Sequence, residues 1–237
     1  MNPQHERELK AVAERYARRG DVGSDVAGKQ VQRPEVLQMV REREQALLAL
    51  LAAHGRSNLA ALDVVEVGCG SGGNLLDLLR LGCSAERLQG IELLPDRLAL
   101  ARQRLPAAVR LHGGDASIAP LAPASQHLLL AWTVFSSLLD DGVQQVLAAA
   151  MWGWLRPGGA LLWYDFCVDN PRNPDVRGVP MRRVQRLFPH GRIDARRVTL
   201  APPLARAVCR LHPALYPWCN ALPWLRTHRL AWIEKPN

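Results

Sequence analysis

The chain has 237 residues, 48% of them apolar and 22% charged, with 30 Lys and Arg against 22 Asp and Glu for a net charge of +8. That length and composition suit one large α/β domain or two small ones and exclude a disordered or low-complexity chain. The charge is uneven: residues 1–169 hold 17 basic and 19 acidic side chains (net −2) and residues 170–237 hold 13 and 3 (net +10), which excludes a generally basic nucleic-acid coat and points to a local anionic partner.

The first eight residues are polar and mixed in charge, unlike a secretory signal or a transit peptide. Residues 5–19 are predicted helical, and residues 20–34, with Gly20, Gly23, Gly28 and Pro34, read as a loop. Pro34 opens a helix carrying Leu37, Val40, Leu47, Leu48 and Leu51 that ends near His54-Gly55. The organisation expected is an N-terminal helical cap over 1–55, then a single domain over 56–237 with insertions on the acceptor side at 167–225.

From Leu62 onward short apolar runs alternate with helical patterns. Strands are predicted over 64–67, 88–93, 109–111, 128–132 and 160–164, with helices over 74–81 and from Pro95 through Leu105. The clearest helix has Val143, Val146, Leu147, Ala150, Met151, Trp154 and Leu155 on one stripe, stopped by Pro157-Gly158-Gly159. This alternation indicates a doubly wound, mostly parallel sheet. Past Phe166 prolines multiply; a helix over 179–187, a strand over 197–200 and a last strand over 230–233 are expected. No run approaches the roughly 20 apolar residues of a membrane-spanning helix. Cys69, Cys83, Cys167, Cys209 and Cys219 form no Cys-x-x-Cys pair, which argues for reduced thiols in a soluble, cytoplasmic protein.

Chemistry concentrates where the first strand turns into a helix, at Glu66-Val67-Gly68-Cys69-Gly70-Ser71-Gly72-Gly73. Glycines there permit a tight turn and close approach of a ligand to backbone N–H groups. Gly68, Gly70 and Gly73 satisfy the dinucleotide spacing, but Glu66 inside the strand suits a ligand with an ammonium group and repels pyrophosphate. Glu92 ends the second strand, 24 residues after Gly68, where a carboxylate can accept both ribose hydroxyls. Asp115 follows the third strand, placed to accept from an adenine amino group. One such acid is as easily a solvated surface group; three at successive strand ends beside a glycine loop are harder to dismiss.

In combination, Glu66-x-Gly68-x-Gly70-x-Gly72, Glu92, Asp115 and Leu155-Arg156-Pro157-Gly158-Gly159 resemble the class I S-adenosylmethionine (SAM)-dependent methyltransferases over residues 60–166. The resemblance implies a Rossmann-like seven-stranded sheet with an antiparallel last strand. It implies SAM as cofactor, held by Glu66, Gly68, Cys69, Gly70, Gly72, Glu92, Leu93, Asp115, Ala116 and Trp132. Glu66 and the loop backbone are expected near the methionine moiety, Glu92 on the ribose, Asp115 and Ala116 at adenine, and the backbone of Trp132 at the methionine end. The tail, with Tyr164-Asp165-Phe166, Asp169-Asn170-Pro171-Arg172-Asn173-Pro174, Thr199-Leu200-Ala201-Pro202-Pro203 and Leu225-Arg226-Thr227-His228, resembles methyltransferases found with bacterial surface-polysaccharide assembly proteins.

Methyl transfer is an in-line displacement that alignment and water exclusion can drive without an obligatory base. A hydroxyl acceptor would gain from one, and Asp165, at the end of the fifth strand, is the candidate catalytic residue; a capping role is its alternative, and His190 and His228 come next. Asp169-Asn170 reads as a turn before Pro171, so no metal is expected. Cys69 reads as packing against the following helix, not as a nucleophile. Arg172 and Arg177, with Arg182, Arg183 and Arg186, lie where an anionic acceptor would enter, although half of them could simply solvate a helix. The aromatic stretch 211–225 reads first as core, and in a sharper reading as a membrane-surface contact. The reading is O-methylation of a sugar or lipid-linked anionic acceptor; the alternatives are a C- or N-methyltransferase of a quinone or natural-product pathway, an RNA-modifying enzyme, and a non-catalytic SAM- or NAD-binding domain. Nucleic acid is disfavoured, because stacking aromatics are few and the Asn/Asp-Pro-Pro-aromatic motif is absent.

Overall fold

The computed structural model describes residues 3–18, 33–171 and 173–237. The chain starts with α1 (Pro3–Arg18); most of the loop expected over 20–34 lies outside the described residues. Pro34 occupies the first turn of α2 (Pro34–Ala53), where its missing N–H costs nothing. There follow β1 (Val64–Val67), α3 (Gly73–Arg80), β2 (Leu88–Glu92), α4 (Pro95–Arg104), β3 (Arg110–Gly113), β4 (Gln126–Trp132), α5 (Asp141–Trp154), β5 (Leu155–Phe166), α6 (Met181–Leu187), β6 (Arg192–Leu200), α7 (Pro202–Leu211), α8 (Leu215–Asn220) and β7 (Arg226–Glu234).

One seven-stranded sheet runs β3-β2-β1-β4-β5-β7-β6. The first four pairings are parallel, and β7 is antiparallel to both neighbours, as expected of the reversed last strand. The strand order reverses between β1 and β4, and a ligand crevice opens at the carboxyl ends there.

Strand alternation builds two cores. Val65, Leu129, Leu161, Trp163 and Ile233 face α5 and α6, whereas Val64, Leu128, Leu130, Leu162 and Trp232 face the layer containing α2 and α3. The residues expected as an N-terminal cap divide between these layers: Val12 of α1 joins the first core, and Leu47, Leu50 and Leu51 of α2 join the second.

Several sequence expectations shift. In α5, Val146 is exposed, and the buried stripe passes through Gln144, whose Nε2 donates to the carbonyls of Phe135 and Leu138 (both 2.9 Å). Leu155 and the Pro-Gly-Gly run belong to β5: Gln126 pairs with Leu155 but Leu128 with Ala160, so residues 156–159 bulge out of register. The proline-rich tail contains two unanticipated helices. Pro202 and Pro203 fill the first turn of α7, and Leu200, Ala205, Cys209 and Tyr216 form a third small core. Among the described residues, no helix is long and apolar enough to cross a membrane.

Candidate active site

The loop after β1 hooks back onto β2, with the N–H groups of Gly68 and Cys69 both donating to the Ile91 carbonyl (2.8 and 3.0 Å). This turn needs left-handed backbone: φ is +68° at Gly68, +57° at Gly70 and +82° at Gly72. Space is also short, since a Cβ at Gly68 would lie 2.8 Å from Val134 and one at Gly72 2.7 Å from Leu105. Glu92 braces the loop, its Oε2 accepting from Gly70 N (2.7 Å) and its Oε1 from Leu94 N (2.9 Å). Cys69 is buried against the sheet, its sulfur where a Cβ on Gly90 would need to be. Burial pushes its thiol pKa well up, so it is inert as a nucleophile.

The acids differ in what already holds them. Asp115 caps the turn after β3, accepting from Ser117 N (2.8 Å) and Ser117 Oγ (2.9 Å), and its Oδ2 also meets His5 Nε2 at 2.7 Å. Glu66 is fully buried. Its Oε1 accepts from Asn74 Nδ2 (2.5 Å), while its Oε2 has no partner. Burial drives its pKa up to about 8, outweighing Asn74 and the positive charge of Arg43. The indole Nε1 of Trp132 is likewise buried without a partner. Arg43 of α2 lies 4.5 Å over the Trp132 ring and 5.5 Å from the Tyr164 ring. A small cavity of about 20 Å³ is lined by Arg43, Asn74 and Trp132.

A larger cavity of about 140 Å³ lies along the carboxyl ends of β1, β2 and β4. Of the residues expected at the cofactor, Gly68, Glu92, Leu93, Asp115, Ala116 and Trp132 line it, whereas Glu66, Cys69, Gly70 and Gly72 do not. Its far wall was not anticipated: His5, Leu9, Val12 and Tyr16 of α1 close it. Glu8 fastens this helix, its Oε1 accepting from Leu139 N and Arg15 Nη2 (both 2.7 Å), and Arg15 also donates to the Ser137 carbonyl (2.9 Å). The i, i+3, i+7 spacing of Leu9, Val12 and Tyr16 was the available signal, but not what the stripe would cover.

The acceptor-side residues do not converge on this cavity. Asp165 does end β5, but it is buried outside the lining, and its carboxylate is taken up by backbone: Oδ2 accepts from Ser136 N and Oδ1 from Phe166 N (both 2.9 Å). Burial raises its pKa to about 6 despite those bonds. This is the capping alternative in geometric form. Arg172 lies outside the described residues. Arg177 pairs with Asp141 at the start of α5, joined there by Arg183, which donates to the Asp141 carbonyl (2.9 Å) and to Gln144 Oε1 (2.9 Å). Arg182, Arg186 and His190 are exposed. Asp169 Oδ1 accepts from Gly178 N (2.8 Å), bracing a turn. His228 is buried, stacked on Tyr164 with centroids 5.0 Å apart, and burial with nearby Arg43 lowers its pKa to about 4, so it is neutral at neutral pH.

Residues 64–159 match a family model described as "Methyltransferase domain". Over nearly its whole length the chain also superimposes on the N-methyltransferase NodS from Bradyrhizobium japonicum WM9, solved with S-adenosyl-l-homocysteine: TM-score 0.69, 18% identity, 95% of this chain and 99% of that one. The fold is the Rossmann-like methyltransferase fold. The methyltransferase fold recurs in phosphoethanolamine N-methyltransferase 2 from Haemonchus contortus, solved with SAM (TM-score 0.60, 16% identity, 80% of this chain and 52% of that one). In sequence, the chain is 34% identical over 127 residues to trans-aconitate 2-methyltransferase from Paracidovorax citrulli (strain AAC00-1). That match takes in 54% of this chain and spans only 44% of the relative's length.

Proposed function

We propose that the chain is a SAM-dependent methyltransferase acting on an anionic acceptor, a sugar or a lipid-linked molecule methylated on oxygen. The observation that carries the cofactor is the Oε2 of Glu66, a fully buried carboxyl oxygen with no partner beside the glycine loop. Leaving such a group unpaired costs about 1–3 kcal/mol, and the ammonium group of SAM is the partner its chemistry calls for. Glu92 and Asp115 keep lone pairs beyond those given to backbone N–H, Ser117 and His5, enough to accept ribose hydroxyls and an adenine amino group. These residues fit the cofactor.

When bound, SAM supplies a sulfonium methyl group open to in-line displacement. The chain's part is to hold, align and keep dry. Glu66 accepts from the ammonium, Glu92 fixes the ribose, and α1, through His5, Leu9, Val12 and Tyr16, shields the bound cofactor from water. Since Asp165 is buried outside the cavity lining, transfer by alignment is favoured over transfer with Asp165 as base. The net charge of +10 in residues 170–237 supports an anionic acceptor, and so does a relative named for an acid, trans-aconitate. A second reading, N- or C-methylation, is favoured by the same placement of Asp165, because such acceptors need less base assistance.

The test is incubation of the full chain with methyl-labelled SAM and separate fractions of lipid-linked glycans, nucleotide sugars, quinones and RNA. Label in either of the first two supports the acceptor reading, whereas label confined to quinones or RNA overturns it.

A further inference from the structure

Five of the chain's large exposed hydrophobic side chains come from one short stretch: Leu211 (80% exposed), Leu215, Trp218 (78%), Leu222 and Trp224 (70%). Their positions are ordered. Leu215 and Trp218, three residues apart, share one exposed face of α8, and Leu211 at the end of α7 and Leu222 just past α8 flank it in the chain. Tyr216, Cys219 and Asn220 point the other way, and Tyr216 is anchored by its hydroxyl donating to Glu42 Oε2 (2.9 Å). The segment is therefore two-sided. The expectation that it packs as core holds for its inner face and fails for its outer one.

The charge around the outer face selects the partner. From Ala195 to Ile233 there is no acidic residue, and there are six arginines. Arg206 and Arg210, on the exposed side of α7, make no ion pair among the described residues. We propose that the outer face of α7, α8 and the turn at Trp224 is a docking surface for an anionic lipid bilayer, with Trp218 and Trp224 seated at the headgroup level and Arg206 and Arg210 against the phosphates. Indole rings favour that boundary because they are apolar with one polar edge, and arginines beside them gain from a negative surface. A second copy of the chain is the poorer occupant: a two-fold interface sets the patch against itself, which brings Arg206 and Arg210 toward their own symmetry mates with no acid in the segment to offset them. This inference goes beyond the acceptor assignment and stands on the surface alone.

The test is co-sedimentation of the full chain with vesicles of phosphatidylcholine, with and without phosphatidylglycerol. Wild type is expected to bind the phosphatidylglycerol vesicles and to lose binding as salt rises. Trp218→Ser with Trp224→Ser is expected to weaken binding by about tenfold or more, and Arg206→Gln or Arg210→Gln by roughly fivefold each. These side chains are on the surface, so unchanged circular dichroism and unchanged binding of S-adenosylhomocysteine in the same variants separate this result from the fate of the cofactor assignment. No binding to phosphatidylglycerol vesicles, equal binding by the double tryptophan variant, or a concentration-dependent dimer that this variant abolishes would each overturn the proposal.

Discussion

The two halves of the sheet use their carboxylates differently. On β1, Glu66 keeps a buried oxygen without a partner, and at the end of β4 the indole N–H of Trp132 has none either. Around β5, β6 and β7, the carboxylates of Glu42 and Asp165 are engaged on both oxygens, although Asn220 Oδ1 and Arg229 Nε are buried without partners. Tyr164 meets Thr199 Oγ1 at 2.9 Å, Thr199 N and the Tyr216 hydroxyl donate to the two oxygens of Glu42 (both 2.9 Å), and Asp165 caps two backbone N–H groups. Buried polar groups that are paired hold a structure together, and each one left unpaired calls for an explanation, of which an absent ligand is one. Under the proposed function the free oxygen of Glu66 serves the cofactor, whereas the engaged carboxylates of Glu42 and Asp165 brace the structure.

The largest test of this contrast is Gly68→Ala. The left-handed backbone alone costs a β-carbon roughly 1–2 kcal/mol, and contact with Val134 adds to it. A total loss of about 2–4 kcal/mol in urea unfolding is expected, together with loss of S-adenosylhomocysteine binding. Wild-type stability and binding would show that the loop is not held as described.

Glu66→Gln comes next and has two opposite effects. With a folded pKa near 8 against an ordinary value of 4.5, Glu66 binds more protons folded than unfolded. Its contribution to stability is therefore full below about pH 4.5 and is lost as pH rises through 8. The Gln variant is expected to be more stable than wild type at pH 8, by about 1–3 kcal/mol, and to bind S-adenosylhomocysteine more weakly. Wild type should release a proton on binding at pH 7, read from calorimetry in buffers of different ionisation enthalpy. Proton-neutral binding would mean that Glu66 does not meet the ammonium.

Asp165→Asn separates structure from chemistry. Losing a carboxylate that accepts two backbone hydrogen bonds should cost about 1–3 kcal/mol of stability, while turnover of the folded variant stays near wild type. A collapse of turnover with a folded protein would restore Asp165 as the base. The smallest effect belongs to Arg177→Ala: its exposed pair with Asp141 is worth under about 1 kcal/mol, so stability should barely move, and a raised KM without a change in kcat would place it at the acceptor.

The same contrast separates what the sequence reveals from what it hides. Glu92 and Asp115 were legible because strand ends in a parallel sheet share one edge, so predicting the strands places the acids. Asp165 was placed on the correct strand end by the same logic, yet its partner is the N–H of Ser136, 29 residues earlier in sequence, which no local pattern reports. The closure of the cavity by α1 was hidden for a like reason: His5 meets Asp115 across 110 residues. Helices α7 and α8 were obscured by prolines, although Pro202 and Pro203 occupy the one turn of a helix that tolerates them, and the spacing of Leu204, Ala205, Val208 and Cys209 was there to be read.

Isothermal titration of the full chain with S-adenosylhomocysteine and, separately, with NADH tests the central claim most directly. Binding of S-adenosylhomocysteine, abolished by Glu92→Ala, with no heat from NADH is the result expected if Glu66, Glu92 and Asp115 serve a sulfonium cofactor. Binding of NADH with none of S-adenosylhomocysteine would contradict it.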